Sequence, residues 1–229
     1  MREIIKEDPK NIKIDLDETN AFQKTKGVSV FSEKISFYLT KANDLFCQMA
    51  VPVAVVKEIT YPQFQTIYSG QGKNEQRTPL NDIMTKEAVY FLFALTLGPG
   101  VSKQISNLFS KGDYLLGHLF DLVCSIGIEV FADDVIKKYF TREVSRGTLK
   151  DSDIMLRYSP GYCGWHITAQ KMLHEKLQSS DIGVTLTQAF YMKPMKSISG
   201  VIIGGNPSMH DFNKDYTFCC NCRTKRCRK

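Results

Sequence analysis

Along most of the chain apolar residues recur every three or four positions, and between those runs lie shorter stretches in which apolar and polar residues alternate. The first spacing belongs to amphipathic helices and the second to half-buried strands, so the pattern predicts a mixed helix and strand fold. The first 27 residues are charged, and Ile12, Ile14 and Leu16 alternate with polar neighbours as an edge strand would. Over residues 32–49, Ile35, Tyr38, Ala42, Leu45, Phe46 and Met49 draw one helical face, which Pro52 ends. Residues 68–74 contain two glycines and no periodicity, and they read as a loop. Thr85 suits the N-cap of a helix over residues 86–97, with Gly98 and Pro99 as its stop, and the nearly unbroken apolar run over residues 89–97 marks central core. A further helix is expected over residues 101–109, before a Lys111-Gly112-Asp113 turn.

The longest helical pattern covers residues 114–140, where Leu119, Val123, Ile126 and Val130 form one apolar stripe. Glu129 and Asp133 stand one turn apart beside it. Carboxylates at such an edge either face a partly buried ligand or are boundary charges paired with basic residues, and spacing alone favours the second. Residues 167–177 read as a helix, and 183–187 and 199–203 as strands. Residues 192–200 form a compact connection, and Gly204-Gly205-Asn206-Pro207 reads as a turn cluster.

With 229 residues and 43% hydrophobic content the chain is read as one domain, residues 1–229. Residues 1–27 form an N-terminal extension or edge strand, and residues 217–229 a cysteine-rich basic tail. No apolar run approaches the roughly 18 residues that cross a bilayer, and the N-terminal residues lack the apolar centre of a signal peptide, so a soluble intracellular protein is expected. Four of the seven cysteines crowd between Cys219 and Cys227. Their odd total suits free thiols or metal ligands in a reducing cytoplasm better than a disulfide framework. The net charge of +6 owes five cations to Arg223, Lys225, Arg226, Arg228 and Lys229, a terminal run that reads as solvated rather than as a nucleic-acid site.

The densest chemistry lies in Arg157-Tyr158-Ser159-Pro160-Gly161-Tyr162-Cys163-Gly164-Trp165-His166, which sets a cation, a Pro-Gly pair, aromatics and a thiol side by side. Pro160 fixes its own φ and turns Ser159 away from the helical region, and Gly161 admits a bend that a side chain would resist, so a shaped loop is predicted.

The order Arg-x-x-Pro-Gly-Tyr resembles the S-adenosylmethionine-binding segment of the activation domain of cobalamin-dependent methionine synthase, and the Cys-Gly-Trp continuation resembles free-standing relatives of that domain. Leu95-Thr96-Leu97-Gly98, Lys111-Gly112-Asp113-Tyr114-Leu115, Ile128-Glu129-Val130-Phe131-Ala132-Asp133, Gly183-Val184-Thr185-Leu186-Thr187 and residues 192–200 resemble the same family in the same order. The resemblance implies an α+β fold, an antiparallel-rich twisted sheet packed by helices. It also implies a role in reductive reactivation of a corrinoid methyltransferase: S-adenosylmethionine is bound and its methyl group presented to the cobalt of a cobalamin carried by a separate partner. A flavodoxin-like or ferredoxin-like donor supplies the electron. Carried over by position, Arg157, Pro160, Gly161 and Tyr162 form the ligand element, Arg157 for the carboxylate, and Glu129 engages the ammonium. Ser197, Ser199 and Gly200 belong to the loop that approaches the corrinoid, although a tight structural turn would use the same residues. The family tyrosine expected two positions after that glycine is Ile202, and the aromatic segment near the start of the fused domain, with its aspartate, has no counterpart.

Cys219, Cys222 and Cys227 give C-x-x-C followed by a third thiol, a spacing that lets three thiolates converge on one metal, with Cys163 or Cys220 as a fourth ligand. A four-iron four-sulfur cluster suits a protein that passes an electron; zinc is the competitor. Two other functions therefore stay open: an iron-sulfur protein that reduces a corrinoid protein without methyl donation, and a zinc-stabilised module binding nucleic acid or protein. His166 either lines the site or has a hydrogen-bonded structural role, and Cys47 and Cys124 read as core residues.

Overall fold

The structure, a computed structural model, describes residues 1–15, 32–210 and 216. Its strands are β1 (Arg2–Lys6), β2 (Val53–Ile59), β3 (Val89–Thr96), β4 (Ile154–Tyr158), β5 (Thr185–Leu186), β6 (Met192–Lys193) and β7 (Ser197–Gly205). Its α-helices are α1 (Ser32–Met49), α2 (Tyr61–Ser69), α3 (Pro79–Ile83), α4 (Pro99–Ser110), α5 (Tyr114–Ser145) and α6 (Gln170–Leu177). Five strands make one sheet in the order β1-β2-β3-β7-β4 with every pairing antiparallel, and β5 and β6 form a separate ribbon. This is the α+β, antiparallel-rich architecture that the sequence implied.

Side chains alternate across the sheet and divide the core in two. Phe91, Phe93 and Leu95 of β3 face α1, α4 and α5, whereas Tyr90, Leu92 and Ala94 face α2, α3 and α6. Because β3 is buried on both sides its sequence shows no alternation, which is why residues 86–97 read as a helix; a short, aromatic-rich apolar run is compatible with either element. The Gly98-Pro99 pair consequently starts α4 instead of ending a helix, with Gly98 at φ 82° and Pro99 in the first turn, where a missing N–H costs nothing.

The edge strand lies at Arg2–Lys6, earlier than the Ile12 to Leu16 alternation suggested. Ile12 is instead buried against the α5 side of the core; Leu16 lies outside the described residues. α2 opens with a reciprocal cap, in which Gln63 N–H donates to Thr60 Oγ1 and Thr60 N–H donates to Gln63 Oε1. Gly204 and Gly205, expected in a turn, extend β7.

The 32-residue α5 does hold an 18-residue window apolar enough, by length and composition, to cross a membrane, which qualifies the expectation from sequence. In the fold Leu119, Phe120, Val123, Cys124, Ile128 and Phe131 of that helix are buried, and α5 packs on α1, α4 and the sheet as a core helix.

Candidate functional site

β4 carries Met155 into the core beneath α5, so Arg157, two residues on, emerges on the same face of the sheet. Its register partner on β7 is Ile202. α5 crosses this face and offers Glu129, Asp133, Ile136 and Lys137, a spacing that keeps all four on one side of a helix. Arg157 Nη2 makes an ion pair with Glu129 Oε2 and a second with Asp133 Oδ1 at 3.3 Å. The guanidinium side chain is only 15% exposed, whereas the two carboxylates are about 40% exposed, so the cation sits deeper than its partners.

These groups border a cleft of about 460 Å³. Phe93, Ile136, Met155 and Ile198 give it an apolar floor, and the chain from Leu156 to Ser159, with Tyr162 and Cys163, supplies the opposite wall. Lys137 stands at the mouth and pairs with Asp134 at 3.6 Å.

The wall is the motif that stood out in the sequence. After Tyr158 the chain leaves the sheet and folds back on itself: Tyr162 N–H donates to Ser159 O, Trp165 N–H to Tyr162 O, and Gly161 N–H to Trp165 O at 2.7 Å. Positive φ at Gly161 (92°), Cys163 (53°) and Gly164 (72°) makes so tight a path possible. Trp165, 1% exposed, anchors it by meeting Phe64 edge to face at 5.7 Å and packing near Tyr68. The loop after α2 fastens the other side, with His166 N–H donating to Asn74 Oδ1 and Glu75 N–H to Gly164 O. Pro160 is buried in this turn and Tyr162 is 56% exposed at the rim. His166 has the structural role, its Nδ1 accepting from Thr168 N–H at the start of the short 3-10 turn before α6.

The structure therefore brings Glu129, Arg157, Tyr162 and Cys163 to one cleft, whereas Pro160 and Gly161 shape the turn that carries Tyr162 and are not among the lining residues. It does not bring Ser197 and Ser199 to the cleft. Along β7 these two alternate onto the opposite face of the sheet from Ile198 and Ile202 and are buried there. Ser197 Oγ is hydrogen-bonded to Thr96 Oγ1 and the Pro194 carbonyl, and Ser199 Oγ donates to Gln170 Oε1 beside His174. Burial of this second face pushes His174 down to about 4, as it does His210, which shares a 2.8 Å hydrogen bond with the Tyr158 hydroxyl.

Gly200 does permit a close approach, but by the protein's own backbone: a Cβ at this position would lie 2.1 Å from Tyr158 O. Gly200 is what allows the turn to cross β7. Asp133 and the apolar floor are the parts that the sequence argument did not assign to a site. The i, i+4 relation to Glu129 was the available signal for Asp133; the floor had none, because Phe93, Met155 and Ile198 converge only through strand pairing.

Cys219, Cys220, Cys222 and Cys227 lie outside the described residues. Among the described residues no group of three or more His, Cys, Asp and Glu is placed to hold a metal ion; Cys163, expected as a fourth ligand to the tail cysteines, borders the cleft.

The family model described as vitamin B12 dependent methionine synthase, activation domain, matches residues 63–215. Among solved structures, the crystal structure of the MetH reactivation domain bound to AdoHcy superposes with a TM-score of 0.61 at 16% sequence identity, covering 88% of this chain and 78% of that one. At that identity the likeness establishes the fold. No curated protein sequence matches the chain.

Proposed function

Because this chain belongs to the family of vitamin B12 dependent methionine synthase activation domains, we propose that it binds S-adenosylmethionine in the cleft between α5 and the turn after β4, and serves reductive reactivation of a corrinoid methyltransferase. The observation that carries the reading is Arg157 held against Glu129 and Asp133 at the edge of an apolar-floored cleft. An amino-acid zwitterion matches two members of this set, Arg157 and Glu129. Its carboxylate suits the planar donors of Arg157, and its ammonium suits Glu129, so each of these two charges exchanges one opposite partner for another. The exchange leaves no buried charge uncompensated, the condition under which ion pairs in a partly desolvated site can be opened at modest cost. The floor of Phe93, Ile136, Met155 and Ile198 offers apolar surface to the nucleoside, and the cleft volume falls within the range of small-molecule sites.

The sulfonium supplies an electrophilic methyl group, and the residues of this chain bind and orient it rather than provide an acid or a base. The methyl acceptor is the cobalt of a corrinoid carried by a separate methyltransferase of the methionine synthase type, with the electron coming from a flavodoxin-like or ferredoxin-like protein. The AdoHcy bound to the MetH reactivation domain, the demethylated counterpart of this ligand, supports the assignment of ligand class. Ser197 and Ser199 have no part in this reading, and Gly200 contributes by shaping the wall.

Titration calorimetry of anaerobically purified protein with S-adenosylmethionine tests it. Wild type should show saturable binding, and Arg157→Ala should weaken it roughly 10- to 100-fold, the value of a charge-assisted pair. Unchanged affinity in a folded Arg157→Ala protein would remove Arg157 from the site, and no binding by wild type would overturn the reading.

A further inference from the structure

Two carboxylates, not one, reach Arg157 from α5, and recognition of an amino acid's ammonium uses only Glu129. Resting on the reading above, we propose that Asp133 is a specificity residue that favours the sulfonium form of the ligand over its neutral thioether product. S-adenosylmethionine and S-adenosylhomocysteine share the carboxylate, the ammonium and the nucleoside; they differ by a methyl group and one positive charge on sulfur. A group that distinguishes them by charge must be an anion near the sulfur, held at a fixed distance from the groups that bind the amino-acid end. Asp133 meets both conditions. It borders the same cleft as Glu129, pairs with the same guanidinium, and lies one helical turn further along α5. Side chains one turn apart are separated by about 5–6 Å at Cβ, a span comparable with the two methylenes that separate the amino-acid carbon from sulfur. With Arg157 and Glu129 holding the amino-acid end, the sulfur comes within reach of Asp133, whose side chain is half exposed at the cleft.

Lys137, one turn beyond Asp133 at the same cleft, is 78% exposed and pairs with Asp134, so solvent screens much of its opposing charge. The consequence for function is directional. The methyl donor is held more tightly than what remains after methyl transfer, so the cleft releases its spent ligand.

The experiment measures S-adenosylmethionine and S-adenosylhomocysteine affinities by calorimetry for wild type, Asp133→Asn and Asp133→Glu, with thermal unfolding to confirm that each is folded. Asp133→Asn should lose about fivefold in S-adenosylmethionine affinity, the equilibrium ratio for a well-hydrated close charge contact. It should leave S-adenosylhomocysteine unchanged, and Asp133→Glu should restore the preference. Equal weakening toward both ligands would mean that Asp133 only orients Arg157, since both carry the carboxylate, and would overturn the proposal, as would no change toward either. In both of those cases wild-type binding still stands. Failure of wild type to bind either ligand would instead bring down the assignment of the cleft itself, and this proposal with it.

Discussion

Replacing Gly200 by alanine isolates the feature that shapes the cleft wall without touching a charged residue. The new Cβ would stand 2.1 Å from the Tyr158 carbonyl oxygen and 3.0 Å from Ser159 Oγ, where ordinary contact begins near 3.4 Å. The first neighbour is backbone and cannot rotate away, so β7 and the start of the turn must separate by roughly an ångström, the kind of overpacking that costs about 1–3 kcal/mol. For a chain of this size that is a fall in melting temperature of roughly 3–10 °C. The displaced segment directly follows Arg157, whose ion pairs with α5 depend on the β4–β7 register ending where it does. An ångström at the carboxylate anchor should therefore also cost about tenfold or more in S-adenosylmethionine affinity. Scanning calorimetry gives the first quantity and titration calorimetry the second. A Gly200→Ala protein that melts within a degree of wild type and binds as tightly would refute the argument that this close approach sets the turn.

Two further outcomes are expected. His174 and His210 are held neutral by burial, with values near 4 against 6.5 in the unfolded chain, so the unfolded state takes up protons first as pH falls. Their contribution is intact above about 6.5 and is lost toward 4 at about 1.4 kcal/mol per pH unit for each histidine. Glu3, whose value is lowered mainly by its Lys138 hydrogen bond, adds acid sensitivity only below 4.5. Urea unfolding at pH 7 and pH 5 should thus show a clear loss of stability, and equal stabilities would count against neutral burial of both imidazoles. The spacing of Cys219, Cys222 and Cys227 predicts bound iron with acid-labile sulfide, or zinc, in anaerobically purified protein; changing the three to serine should abolish it, and a retained metal complement would place the metal elsewhere.

The elements legible in the sequence are those with one wet face. α1, α4 and α5 each turn one side to solvent, so their apolar residues keep helical spacing and the ranges expected for them nearly coincide with those observed. β3 lost its signature because both its faces are buried, and β4 because a five-residue strand ending in Arg157 and Tyr158 has too few positions to establish alternation. The same limit governs the site. Arg157, Glu129 and the Pro160 to Tyr162 turn were accessible through the order of residues in a motif, which survives without knowledge of strand register. Ser197 and Ser199 required the phase of β7, and a shift of one residue moves a side chain to the other face of a sheet. The phase set by Ile198 and Ile202 beneath α5 sends both serines to the opposite face, Ser199 toward Gln170 and His174 and Ser197 toward Thr96 and the Pro194 carbonyl.

Ile202 occupies the place where the resemblance called for a tyrosine, and its surroundings show what the change does. It is the register partner of Arg157, 1% exposed, and packed in the core beneath α5. A phenol at that depth would bring a hydroxyl that needs a partner. An isoleucine fills the space with apolar volume and makes no such demand. The ion-paired groups at the cleft thus come from two elements, Arg157 from β4 and Glu129 and Asp133 from α5, while β7 contributes Ile198 to the floor and a crossing point through Gly200. On the proposed reading, discrimination among ligands in this chain must then come from the spacing of carboxylates along a single rigid helix, Glu129 and then Asp133, rather than from a strand hydroxyl.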